Sequence, residues 1–136
     1  MDNWFVSALL ALIFFGLWGF FPKLAVAHIS PPSAVVYQVA GGLLVGFVAL
    51  ALVGFRPETR PMGVLFAVLT GVAGVLGTLF YYAAASRGRL AVVVGMTALY
   101  PFLTILLAYF LLREPISGRQ LLGMLFALAA IVLFAV

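Results

Sequence analysis

Residues 62–86 read MGVLFAVLTGVAGVLGTLFYYAAAS, a run from Met62 to Ser86 without one ionisable acid or base. A helix rising ~1.5 Å per residue needs ~20 residues to cross ~30 Å of hydrocarbon, and this run exceeds that length. It does not alternate apolar with polar residues, so it is no barrel strand, and lipid tolerates no open sheet edge. A single membrane-crossing helix is the reading that remains.

The same pattern extends in both directions. Charges and prolines divide the chain into five apolar runs, giving expected spans of about 4–26, 33–55, 62–86, 90–112 and 118–136. The break between the first two is Ser30-Pro31-Pro32. The loops Arg56–Pro61, Arg87–Arg89 and Arg113–Arg119 are barely longer than turns, so consecutive helices must pack as antiparallel neighbours. The last run is the shortest and is expected to start near Ser117, with Arg119 as an interfacial anchor. The expected fold is an all-α, polytopic membrane bundle in one domain.

Composition agrees. Of 136 residues, 67% are hydrophobic and 7% charged, and mean hydropathy is +1.33, whereas soluble domains carry about 25% charged residues. Ten acids and bases cannot cover a water-facing surface, so the principal partner is the lipid bilayer. The net charge of +4 comes with no basic cluster interleaved with aromatics, which argues against nucleic acid. With no cysteine, neither disulfides nor thiolate metal sites are expected. HExxH, a phosphate loop and a Ser/His/Asp set are all missing from the sequence, so no enzyme, cofactor or metal is expected. The N-terminal Met1-Asp2-Asn3-Trp4 lacks the positive segment of a signal peptide, and the first run reads as a retained helix.

Orientation is weakly instructed. With five spans, Arg56, Arg60, Arg113 and Arg119 fall on the N-terminal side and Lys23, Arg87 and Arg89 on the other, four against three. A Lys/Arg excess normally marks the cytoplasmic side. Two readings stay open: a single orientation with the N-terminus cytoplasmic, or insertion both ways with pairing as an antiparallel homodimer.

In lipid, helices associate through small residues and polar contacts, so such residues mark candidate faces. Gly42 and Gly46 form a GxxxG pair in the second run, and Gly71, Gly74 and Gly77 recur in the third; all five are expected to serve helix packing. Thr70, Gly74, Gly77, Thr78, Tyr81 and Ala85 share one side of the third helix. Thr97, Tyr100, Pro101, Thr104 and Ala108 form a stripe in the fourth. Most Gly/Thr stripes are packing surfaces, and Trp4, Tyr37, Tyr81, Tyr82 and Tyr109 fit an interfacial aromatic belt. Trp18 and Tyr100 lie deeper and suit a cavity lining. Lys23 follows Trp18-Gly19-Phe20-Phe21-Pro22 near a span end, where snorkelling to headgroups is the simpler reading and an anion contact at a cavity mouth the sharper one. Glu114, beside Arg113 and before Arg119, is expected in a loop ion pair. No Asp, Glu or His falls mid-span, so a buried-carboxylate proton exchange has no evident carrier. Pro22 and Pro101 are expected as kinks or hinges.

These pieces resemble a known pattern. Trp18-Gly19 followed by Lys23, then Tyr81-Tyr82-Ala83-Ala84-Ala85, Tyr100-Pro101-Phe102, Glu114-Pro115 and Gln120-Leu121-Leu122-Gly123 are similar to the drug/metabolite transporters of the EamA type over nearly the whole chain. Most members of that family hold two five-helix repeats. The resemblance therefore implies a small single-repeat member, one half of a ten-helix inverted-repeat architecture. More distantly the chain resembles the four-helix small multidrug resistance proteins, but it lacks their acid in the first span; it also has Gln38 where larger EamA-type members often carry a basic residue. The implied function is export or exchange of a small metabolite or amphipathic solute across the inner membrane, with a cavity at a homodimer interface. Trp18, Lys23, Gln38, Thr78, Tyr81, Thr97, Tyr100 and Thr104 are the expected cavity or gate residues. A non-transporting membrane scaffold subunit and a passive channel are the alternatives.

Overall fold

Prolines and glycines set the helix ends. In the computed structural model, which describes residues 4–135, α1 spans Trp4–Ala25, α2 Pro31–Leu52 and α3 Pro61–Arg87. Asp2 and Val136, the latter closing the expected fifth span, lie outside the described residues. α2 begins two residues before the expected span. Proline is favoured at a helix start because its missing N–H would be unbonded there anyway, and Ser30 before it is extended (φ −67°, ψ 150°), as a residue preceding proline prefers. α2 stops at a glycine: Gly54 is left-handed (φ 63°), and the Phe55 amide donates to Leu50 O and the Gly54 amide to Ala51 O, both at 3.0 Å. These bonds satisfy carbonyls that the helix end leaves open.

The fourth span is not one helix. α4 (Leu90–Thr97) gives way at Ala98 and Leu99 to α5 (Tyr100–Leu107), followed by a π-helical turn, Ala108–Leu112. Proline clashes with the carbonyl four residues before it and cannot bond it; that carbonyl belongs to Thr97, where α4 ends. The interruption is bridged by tighter bonds, Leu99 N to Met96 O at 3.3 Å and Phe102 N to Leu99 O at 3.0 Å. Arg113 ends the π turn in a left-handed conformation, φ 56°, where the equivalent position after α2 is a glycine. α6 (Gly118–Ala135) opens with a reciprocal cap. The Gln120 amide donates to Ser117 Oγ (3.3 Å), and Gln120 Oε1 accepts from the Ser117 amide (2.8 Å), a capping box that satisfies two amides at the helix start.

The four apolar segments Trp4–Ala25, Pro31–Leu52, Pro61–Arg87 and Leu90–Leu112 are long enough to cross a membrane; α6, with 18 residues and a rise of about 27 Å, is a shorter apolar helix. No strand occurs among the described residues. The chain falls into two compact units, Met1–Arg87 and Gly88–Val136. In the first, α3 packs against both α1 and α2; in the second, α4 packs against α6. Buried side chains are few: Pro22, Ala34, Thr78, Tyr81, Tyr82 and Ala85 in the first unit, Val93 and Met124 in the second. The remaining apolar surface suits a lipid solvent.

Candidate functional site

The first unit gathers the polar side chains of three helices. Two bonds join α1 to α3. The Tyr81 hydroxyl donates to Gly19 O at 2.7 Å, and the Lys23 ammonium donates to Ala85 O at 2.7 Å. Gly19 and Lys23 are one helical turn apart, as are Tyr81 and Ala85, and both pairs ascend together. α1 and α3 therefore run parallel in a fixed register, each giving a side-chain donor to a carbonyl of the other. The Trp18 and Tyr81 rings lie beside the first bond, centroids 5.2 Å apart and tilted by 36°.

The choice of carbonyl has a cause. Ala85 lies among the last four residues of α3, whose carbonyls have no amide ahead of them and form the negative end of the helix dipole. The Lys23 ammonium supplies a donor and a positive charge there. Of the two readings open for Lys23, neither snorkelling nor an anion contact includes this bond: its ammonium meets a helix end. Pro22 beside it is fully buried, and its missing N–H frees the Trp18 carbonyl from its usual partner.

α2 meets α3 through Gln38 and Thr78. Thr78, 3% exposed, donates its hydroxyl to Gly74 O at 2.7 Å, and its oxygen receives Gln38 Nε2 at 3.5 Å. Because the Thr78 proton is committed to Gly74, only the amide nitrogen of Gln38 can face it usefully. Gln38 Oε1 is left buried, with no hydrogen-bond partner among the described residues. An unsatisfied buried acceptor costs about 1–3 kcal/mol, so it marks a place where a donor is wanted.

Five expected site residues, Trp18, Lys23, Gln38, Thr78 and Tyr81, thus share one unit and are linked through α3. The other three do not join a polar cluster within theirs. Thr97 bonds Val93 O at 2.9 Å and Thr104 bonds Tyr100 O at 3.2 Å, each within its own span. Tyr100 is 63% exposed. Tyr81 and Tyr82 are 5% and 6% exposed, so of the two readings open for Tyr81 its burial favours the interior one over the belt; their spacing from Thr78 and Ala85 carried the signal. The packing glycines Gly42, Gly46, Gly71, Gly74 and Gly77 face open space, where an added Cβ would meet nothing within 4 Å. Only the C-terminal half of the α3 stripe packs inside the first unit.

The second unit holds a cleft of about 290 Å³ beside the π turn, lined by Ile105, Tyr109, Glu114, Ile116, Gln120 and Met124 among others. Glu114 was expected in a loop ion pair; that it lines a cleft was not legible beforehand, because the π turn that frames the cleft leaves no pattern in residue type.

Apolar helices of spanning length, with their few polar groups turned onto helix carbonyls and one another, define a multi-pass membrane protein. The EamA-like transporter family matches residues 3–136, and the chain belongs to that family. Membership makes it a membrane transporter of the drug/metabolite type, a family of transporters and not of enzymes. It is similar to an uncharacterized protein of Methanocaldococcus jannaschii, 24% identical over 136 residues that cover all of this chain and 98% of the relative. No solved structure matches it.

Proposed function

We propose that the protein exports or exchanges a small neutral, zwitterionic or amphipathic solute across the inner membrane as a homodimer, and that the solute contacts the Trp18, Lys23, Gln38, Thr78 and Tyr81 cluster. The observation that carries the site is the buried, unpartnered Oε1 of Gln38. A solute N–H or O–H would satisfy it, and the Trp18–Tyr81 pair offers an aromatic wall one turn of α3 away. Thr97, Tyr100 and Thr104 are proposed as gate residues, and the break ahead of Pro101 as their hinge, with Pro22 as a second one.

A second copy is part of the proposal because the chain, with α6 read as a fifth span, amounts to half of a ten-helix carrier. The near-even division of basic residues supports opposite insertion of the two copies, and the unfilled faces at Gly42, Gly46, Gly71, Gly74 and Gly77 supply close-approach surfaces between them. Neither idea depends on the identity of the solute.

The test has two stages. A panel of neutral and zwitterionic solutes is screened for thermal stabilisation of detergent-purified protein, since a ligand that binds the folded state raises its melting temperature. The best hit is then measured in liposomes, wild type against Gln38→Leu. Saturable counterflow that Gln38→Leu abolishes supports the carrier. Non-saturable leak makes the protein a channel, and absence of flux a scaffold. Tagging both termini for topology, with cross-linking of the two copies, decides the dimer.

A further inference from the structure

The geometry points to a second binding site, in the cleft of the Gly88–Val136 unit, for an ammonium group carried on an apolar body. Glu114 is the counter-ion. Three observations place the site there, all independent of the Gln38 cluster.

The first is the cleft itself. Its volume of about 290 Å³ matches the lower end of small-molecule sites, ~300 Å³, and Ile105, Ile116 and Met124 give it an apolar wall. The second is charge. Among the described residues Glu114 is the only charged side chain lining it, so the cleft favours a cation. No group of three or more His, Cys, Asp or Glu capable of holding a metal ion occurs among the described residues, and one carboxylate in an apolar wall is a poor substitute for the six to eight oxygens that calcium takes. An organic ammonium needs less: one carboxylate and an aromatic face. Tyr109 lines the same cleft, and a ring face attracts a cation within about 6 Å.

The third is local backbone strain. The chain reaches Glu114 through a π turn and a left-handed Arg113 (φ 56°), with the Glu114 amide donating back to Ala108 O at 3.3 Å. Single π turns and non-glycine left-handed residues are uncommon and gather at functional sites. Pro115 and the Ser117–Gln120 cap then fix the exit of the loop. The segment from Ala108 to Gln120 is therefore bonded at both ends, with Glu114 between them. Arg113 and Arg119 flank it in sequence, so a phosphate next to the ammonium would also find cations nearby. That pairing occurs in an ethanolamine lipid headgroup, whereas a free amphipathic amine offers the ammonium alone.

The probe is hexyltrimethylammonium, measured by equilibrium dialysis against the full-length protein in nonionic micelles. Wild type is expected to bind saturably, Glu114→Gln to bind at least tenfold more weakly, and Met124→Phe, which fills the cleft, to weaken binding likewise. Glu58→Gln, which removes a loop acid outside the cleft, is expected to leave binding unchanged. The far-UV spectrum and elution volume of each variant confirm that it is folded, and Glu114→Asp, which keeps the charge, is expected to retain most of the affinity. Nanodiscs separate the two sources of the ammonium. Weaker probe binding in phosphatidylethanolamine than in digalactosyldiacylglycerol discs, which are uncharged and carry no amine, identifies the lipid headgroup as occupant; equal binding identifies a free solute. Lack of saturable binding by wild type in micelles and in both kinds of disc overturns the proposal, as does equal binding by folded Glu114→Gln. Gln38→Leu is not expected to alter this binding, so failure of the solute site and failure of this one are read separately.

Discussion

Replacing Tyr81 by phenylalanine removes one oxygen from the α1–α3 seam and nothing else. The lost bond runs from the Tyr81 hydroxyl to Gly19 O at 2.7 Å. The Gly19 carbonyl lies inside α1 and keeps its helical partner, so no orphan is created. Interhelical hydrogen bonds in membrane proteins average about 0.6 kcal/mol and reach about 1.7 kcal/mol. A short bond to a residue only 5% exposed belongs in the upper half of that range, so Tyr81→Phe is expected to cost about 1 kcal/mol, close to a fivefold change in the folding equilibrium. The ring stays against Trp18. Tyr81→Ala also loses the aromatic pair, worth about 0.5–1.5 kcal/mol, and the packing of the ring, so it is expected to cost about 3 kcal/mol in total, at the lower edge of aromatic truncations in protein cores. The assay is reversible unfolding by SDS in mixed micelles, followed by far-UV dichroism and by tryptophan emission in a Trp4→Phe background. There Trp18 alone reports, directly on the ring it touches. If Tyr81→Phe costs nothing measurable and Tyr81→Ala costs no more than Tyr81→Phe, the seam between α1 and α3 is not the one described.

Three further outcomes follow from the same geometry. Gln38→Leu removes a buried acceptor that lacks a partner among the described residues and is expected to stabilise the protein by about 1 kcal/mol while abolishing the solute-induced thermal shift; a fall in stability would mean that the amide is satisfied after all. Arg113→Gly relieves a left-handed conformation costing about 1–2 kcal/mol in a non-glycine residue, so it raises stability in the SDS titration, whereas Gly54→Ala at the matching end of α2 lowers it by a comparable amount. Tyr100→Ala, at a residue 63% exposed, is expected to leave stability within about 0.5 kcal/mol but to reduce counterflow severalfold, and unchanged flux would remove Tyr100 from the gate.

The interruption in the fourth span shows how far residue type alone could go. Pro101 predicts a break by removing one amide and crowding the Thr97 carbonyl, and the helix stops there. The π turn, which begins at Ala108, has no such signature. Similarly, the Ser117-x-x-Gln120 pattern announces a helix start, which the length of the apolar run had only approximated. Lys23 was legible as unusual but not in its direction: snorkelling and inward capping use the same long stem, and the choice depends on whether an open carbonyl lies within reach. The glycine faces were legible as close-approach surfaces, but their partner is not found within the described chain.

What the amino-acid order decided by itself is the set of helices. In hydrocarbon every backbone amide and carbonyl must be bonded within its own helix, so span length, prolines and glycines are local quantities that can be read residue by residue. What the tertiary structure decided is register: Tyr81 over Gly19, Lys23 on the last turn of α3, Gln38 against a Thr78 whose proton is already spent, and Glu114 at the edge of a cleft. Helical periodicity says which residues share a face but not how far one helix slides along another. In lipid that offset is set by close packing and a few polar bonds, and these exist only once the helices have met.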